Sequence, residues 1–76
     1  MISPEEALAN AIIMQGVKDY RMALKALKQN PNNGTAKDTK AEVERFFRSQ
    51  WYSALTDISG DYLIRKLNEE VFGNDS

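Results

Sequence analysis

The chain has no cysteine and no histidine, only two prolines and four glycines in 76 residues, and no large excess of charge of either sign. Each shortage closes a route. Without cysteine there is neither a disulfide framework nor a thiolate metal site. Without histidine the commonest metal ligand is gone, along with the side chain best suited to moving protons near neutral pH. A chain of this length buries only about 60% of the surface it exposes when unfolded, so the fold must rest on apolar packing, aided at most by a partner chain. There is no apolar run of the roughly 20 residues that cross a bilayer. The opening MISPEEALANAIIMQGV has no basic segment before its apolar stretch, unlike a secretory signal. A cytoplasmic location is the expectation, with no membrane contact.

What charge there is lies unevenly. The formal net charge is −1. Residues 18–48 carry eight Lys/Arg against four Asp/Glu, an excess of +4, while residues 1–17 contribute −2 and residues 49–76 contribute −3. A basic middle between acidic ends is explained equally well by internal complementarity and by a partner.

The scarce prolines and glycines act as punctuation. Ser3-Pro4-Glu5-Glu6 has Pro at the first helical position and an S-x-x-E capping box. Ile13, Val17, Tyr20, Leu24 and Leu27 then follow a 4-3-4-3 spacing, one stripe along a helix over about 4–29. Asn30-Pro31-Asn32-Asn33-Gly34 stops it. Thr35 is the expected cap of a second helix over about 36–57, with a kink allowed near Ser49 and an apolar stripe of Val43, Phe47, Trp51, Leu55 and Ile58. Ser59-Gly60 separates a third helix over about 60–71, with Leu63, Ile64, Leu67 and Val71 inward and Phe72 folded over its end. Residues 73–76 read as a frayed tail. No segment alternates with period two. The expected fold is all-α: a single domain in which a hairpin of two long helices is closed by a shorter third, a small three-helix bundle.

The parts of an enzyme are missing: no nucleophile–base pair, no phosphate-binding glycine loop, no metal-ligand spacing. Glu5/Glu6 and Glu69/Glu70 are adjacent carboxylates, but neighbours on a helix point in different directions. No catalytic residue, cofactor or metal is expected. Lys18, Arg21, Lys25 and Lys28 fall within roughly 80° of one helix face. That face is a footprint for phosphates or a solvated edge whose methylene stems cover the apolar seam. A helix-turn-helix reading fails because its recognition helix, 61-DYLIRKLNEE-70, is net negative. The aromatic cluster 45-RFFRSQWYSAL-55 places Phe47, Trp51 and Leu55 on the core stripe, with Phe46 against the third helix. Arg45, Arg48 and Tyr52 remain on its flank, Tyr52 burying its ring and keeping its hydroxyl wet. In 7-ALANAIIMQGV-17 apolar side chains point nearly all round, so Leu8, Ile12, Met14 and Met22 form a candidate apolar contact patch.

The runs 10-NAIIMQGVKDYRMAL-24 and 40-KAEVERFFRSQWYSALTDISGDYLIRKLNEE-70 resemble a group of small uncharacterised helical proteins found in prophages and integrative elements of Firmicute-type bacteria. The shared features are "AI…VKDYR" followed by "FFRSxWYxxLTDISGxYLIxxL". The resemblance implies a small helical fold and a mobile-element accessory role exercised by binding; it carries no activity. The functional expectation is a non-enzymatic protein that contacts a protein partner or a second copy of itself. The alternative is a nucleic-acid-binding regulator using residues 18–48.

Overall fold

A computed structural model describes residues 3–73 and contains four helices: α1 (Pro4–Gln29), α2 (Gly34–Phe47), α3 (Gln50–Leu55) and α4 (Gly60–Phe72). The fold is an all-α bundle. The expected tail lies outside the described residues except for Gly73. α1 begins as its sequence dictates: the Ser3 hydroxyl accepts from the Glu6 N–H, and the Glu6 carboxylate accepts from the Ser3 N–H at 3.0 Å. α2 starts earlier than expected, because the Asn33 carbonyl oxygen, not Thr35, caps it by accepting from the Ala36 N–H. Asparagine and threonine both serve as caps, and the asparagine comes first in the chain.

The larger correction is at Ser49. The helix expected over 36–57 is two helices, and Ser49 is the extended residue between them. Its hydroxyl donates to the Phe46 carbonyl at 2.7 Å and accepts from the Tyr52 N–H at 3.1 Å, capping α3 while satisfying an orphan carbonyl of α2. The break re-phases the aromatics. On one continuous helix Phe47, Trp51 and Leu55 would share a face; after the break Tyr52 takes the inward place. Tyr52 is 2% exposed and Trp51 58% exposed. Trp51 is therefore no core anchor, and Ile58 is exposed as well. Phe72 is exposed rather than folded over the end of α4. Phe46 packs against Phe47, Trp51 and Tyr52.

The core joins α1, α2, α3 and α4 through Tyr20, Leu24, Phe47, Tyr52, Ile64, Leu67 and Val71, with Ile13, Val17, Val43, Phe46 and Leu63 packed around it. Edge-on contacts link Phe47 to Tyr20 and to Tyr52, with ring centroids 6.0 and 5.6 Å apart. Two glycines permit this closeness. A Cβ on Gly60 would lie 1.8 Å from the Phe47 carbonyl oxygen, so the start of α4 backs directly onto the end of α2. A Cβ on Gly16 would stand 3.3 and 3.4 Å from the rings of Phe47 and Phe46.

Candidate functional site

The basic residues singled out by the sequence divide into two groups. Arg21 makes a two-pronged pair with Glu70, tying α1 to α4. Lys28 donates to the Val71 carbonyl at 2.9 Å, placing a cation at the C-terminal end of α4 where the helix dipole favours it. Arg48 binds Asp61 at 2.9 Å and lies 4.0 Å from Glu44, and these acids hold its guanidinium pKa above the ordinary value. These three brace the bundle. Lys18, Lys25 and Arg45 are exposed and have no ion pair among the described residues. Tyr52 leaves the candidate surface altogether: its hydroxyl is buried, not wet, and has no hydrogen-bond partner among the described residues. Burial pushes its pKa up.

A second titratable cluster lies inside. The Tyr20 hydroxyl donates to the Glu44 carboxylate at 2.6 Å and accepts from the Asn68 amide at 3.0 Å, while Lys40 reaches the same carboxylate at 2.7 Å. Burial, then the Glu44 carboxylate, raises the Tyr20 pKa well above its usual range. Burial alone would raise Glu44, but hydrogen bonds from Lys40 and Tyr20, with the charges of Lys40 and Arg48, outweigh it and hold the carboxyl below 4.5. Tyr20 is fully buried, and Tyr20 and Lys40 share one oxygen of Glu44 while Arg48 stands 4.0 Å from the other. The cluster fastens α1, α2 and α4. Among the described residues no three metal-ligating side chains come together.

The apolar patch expected on the first helix is two surfaces. At 100° per residue Met14 stands about 160° from Ile12, on the side of Lys18 and Lys25. Leu8, Ile12 and Met22 share the other side, and Leu8 and Met22 are 63% and 65% exposed. That side forms one wall of a groove whose other wall is α2, closed at one end by α3. One hollow, about 380 Å³, is lined by Ile12, Gly16, Val43, Phe46 and Trp51; the other, about 440 Å³, by Met22, Ala23, Ala26, Ala36 and Thr39. Asp19 and Glu42 line both, so they stand at the waist of the groove, one on each wall. Gln15 donates to Asp19 at 2.9 Å. Neither carboxylate has a cationic partner among the described residues.

Sequence reasoning missed Asp19, Glu42, Val43, Phe46 and Trp51 as members of one surface. Half of the signal is legible: Leu8, Ile12, Gln15, Asp19, Met22 and Ala26 follow a second 4-3-4-3-4 spacing along α1, interrupted by polar residues where a core stripe would not be. The other half depends on the turn at Ser49, which alone brings Trp51 to the groove mouth. A third cavity, about 450 Å³, lies at the α3–α4 joint between Arg48, Tyr52, Ser53, Thr56, Asp57 and Asp61. Its one cation is already bound to Asp61.

No described helix is long and apolar enough to cross a membrane. A scan against protein-family models, a search of curated proteins and a search of solved structures each found no match to this chain.

Proposed function

We propose that the protein acts by binding a protein partner through the α1–α2–α3 groove, and that it is not an enzyme. The observation that carries this reading is Trp51, a large aromatic held out at the mouth of an apolar hollow that it lines with the half-buried Ile12, Val43 and Phe46. Tryptophan is enriched at the centres of protein interfaces, and apolar surface gathered in one place marks a contact site more than the same residues scattered. The basic residues support the nucleic-acid alternative less well. Arg21, Lys28, Lys40 and Arg48 are engaged within the bundle, leaving Lys18, Lys25, Lys37 and Arg45 for phosphates. A cytoplasmic accessory role in a mobile element is the setting we propose on the resemblance of residues 10–24 and 40–70.

The test is affinity capture from a native host with the full-length chain as bait, run beside Trp51→Ala and Lys18→Glu/Lys25→Glu variants. A partner lost with the Trp51 variant and kept with the lysine variant supports the reading. A partner indifferent to Trp51, or retention of nucleic acid that the lysine variant abolishes, overturns it.

A further inference from the structure

We infer that the occupant of the groove is an amphipathic helix of another protein that carries a lysine or arginine at its middle, flanked on the same face by apolar anchors. The inference rests on the protein-binding reading and adds the chemistry of the partner.

The groove has the dimensions of a helix seat. Ile12 to Ala26 is fourteen residue steps along α1, about 21 Å at 1.5 Å per step, the length of a four-turn helix. The small residues Ala23, Ala26 and Ala36 line the floor of its Met22 end, allowing a backbone to come close; at the other end the space beside Gly16 is filled by the rings of Phe47 and Phe46. Its Trp51 end is apolar, its Met22 end sets Ala23, Ala26 and Ala36 beside Asn33, Thr35 and Thr39, and its waist is acidic. An apolar helix laid along it would strip water from Asp19 and Glu42 and leave both charges without a cation, which is costly. A helix with a cation at that level would neutralise them and fill both hollows, so the same contact would give affinity and fix register.

The charge also argues against a second copy of this chain. Two-fold pairing of the groove with itself would gather two carboxylates from each copy and no cation. The outer face of α4 presents Tyr62 with Arg65 and Lys66 near its ring, but Lys66 is already paired with Glu69, and Asp61, Glu69 and Glu70 leave the helix net negative around Arg65, its one cation unpaired among the described residues. That face is therefore a poorer complement than an unpaired lysine or arginine.

The experiment uses the full-length chain and three synthetic helical peptides of about 18 residues, long enough for appreciable helicity. They are identical in their leucine anchors and differ at the central position: Lys, Leu or Glu. Binding is read by the fluorescence of Trp51, the chain's one tryptophan, and by peptide anisotropy. The Lys peptide should bind at least about tenfold more tightly than the Glu peptide, a margin typical of a desolvated charge pair. A folded Asp19→Lys/Glu42→Lys variant should reverse that order. The milder Asp19→Asn/Glu42→Gln variant should remove the preference, so the result does not depend on one variant folding. Equal binding of all three peptides overturns the inference while leaving the groove as a protein-binding site. Binding of none, or concentration-dependent dimers in sedimentation that Asp19→Asn/Glu42→Gln strengthens, also overturns it. Failure of the broader reading would show elsewhere, as capture of a native partner that ignores Trp51.

Discussion

Two aromatic pairs, each spanning Ser49, are built from neighbouring residues and meet opposite fates. Phe47 and Tyr52 lie five apart and are both 2% exposed, packed edge-on with Tyr20 at the centre of the bundle. Phe46 and Trp51 also lie five apart and are in edge-on contact at 5.3 Å, yet Phe46 is half-buried and Trp51 is 58% exposed. Composition and hydropathy do not separate the pairs; one serine does. By ending α2 and capping α3, Ser49 rotates one pair into the core and the other onto the groove. The same number of aromatic residues thus supplies both the stability of the domain and its candidate binding surface.

The inner pair can be broken outright. Phe47→Ala removes a side chain that touches Tyr20 of α1 and Tyr52 of α3 directly. The expected loss is about 3–5 kcal/mol, comparable to the whole stability of so small a domain. Urea titration followed by circular dichroism should show a chain largely unfolded at room temperature. Beneath that pair, Tyr20→Phe should cost about 1–3 kcal/mol, because it removes two part-buried hydrogen bonds, one of them to a carboxylate, and leaves Glu44 to Lys40 and Asn68 to the Ile64 carbonyl.

Acid gives a finer test of the same side of the molecule. The Glu44 carboxyl is held below 4.5 in the folded chain, with burial opposing and Lys40 and Tyr20 prevailing. As the pH falls the unfolded chain takes up that proton first. The stability Glu44 contributes is therefore complete above its unfolded value and is lost as the pH drops through the folded one. Glu70, lowered by its hydrogen bond from Arg21, acts in the same direction. The urea midpoint should decline from about pH 5 downward, and less steeply in Glu44→Gln, which starts from a lower midpoint. At the outer pair the expected effect on folding is smallest. Trp51→Ala should shift stability by about 1 kcal/mol or less, in keeping with a largely exposed side chain, while abolishing capture of the partner.

The first helix was legible nearly to the residue, since Ser3, Pro4 and Glu6 specify its start and Asn30-Pro31 its end by local chemistry alone. α4 was legible for the same reason: Ser59 and Gly60 mark its beginning and Leu63, Ile64, Leu67 and Val71 give its inner face. The middle was not. The spacing of Phe47, Trp51, Leu55 and Ile58 fits a continuous helix as well as any stripe in the chain, and a serine inside a helix is tolerated. The broken form joins the Ser49 cap to the packing of Tyr52 against Phe47 and Phe46, and the second of these is not written in the local sequence. The candidate site suffered most from that. Leu8, Ile12 and Met22 were recognisable as unburied, but their complement depends on where α2 places Glu42 and Phe46 and where the Ser49 turn sends Trp51. The basic residues were visible and misleading, because Arg21, Lys28 and Arg48 find Glu70, the Val71 carbonyl and Asp61 across distances in sequence that periodicity does not connect.

The most direct measurement is acrylamide quenching of the fluorescence of Trp51 in the dilute, isolated protein. The expected quenching constant is a large fraction of that of the urea-unfolded chain, because the indole is 58% exposed and covered on one side only, by Phe46. Strong protection is expected when the groove is filled by a helix. A tryptophan already shielded from acrylamide in the free protein would contradict the account, placing Trp51 in the core and away from the groove's mouth.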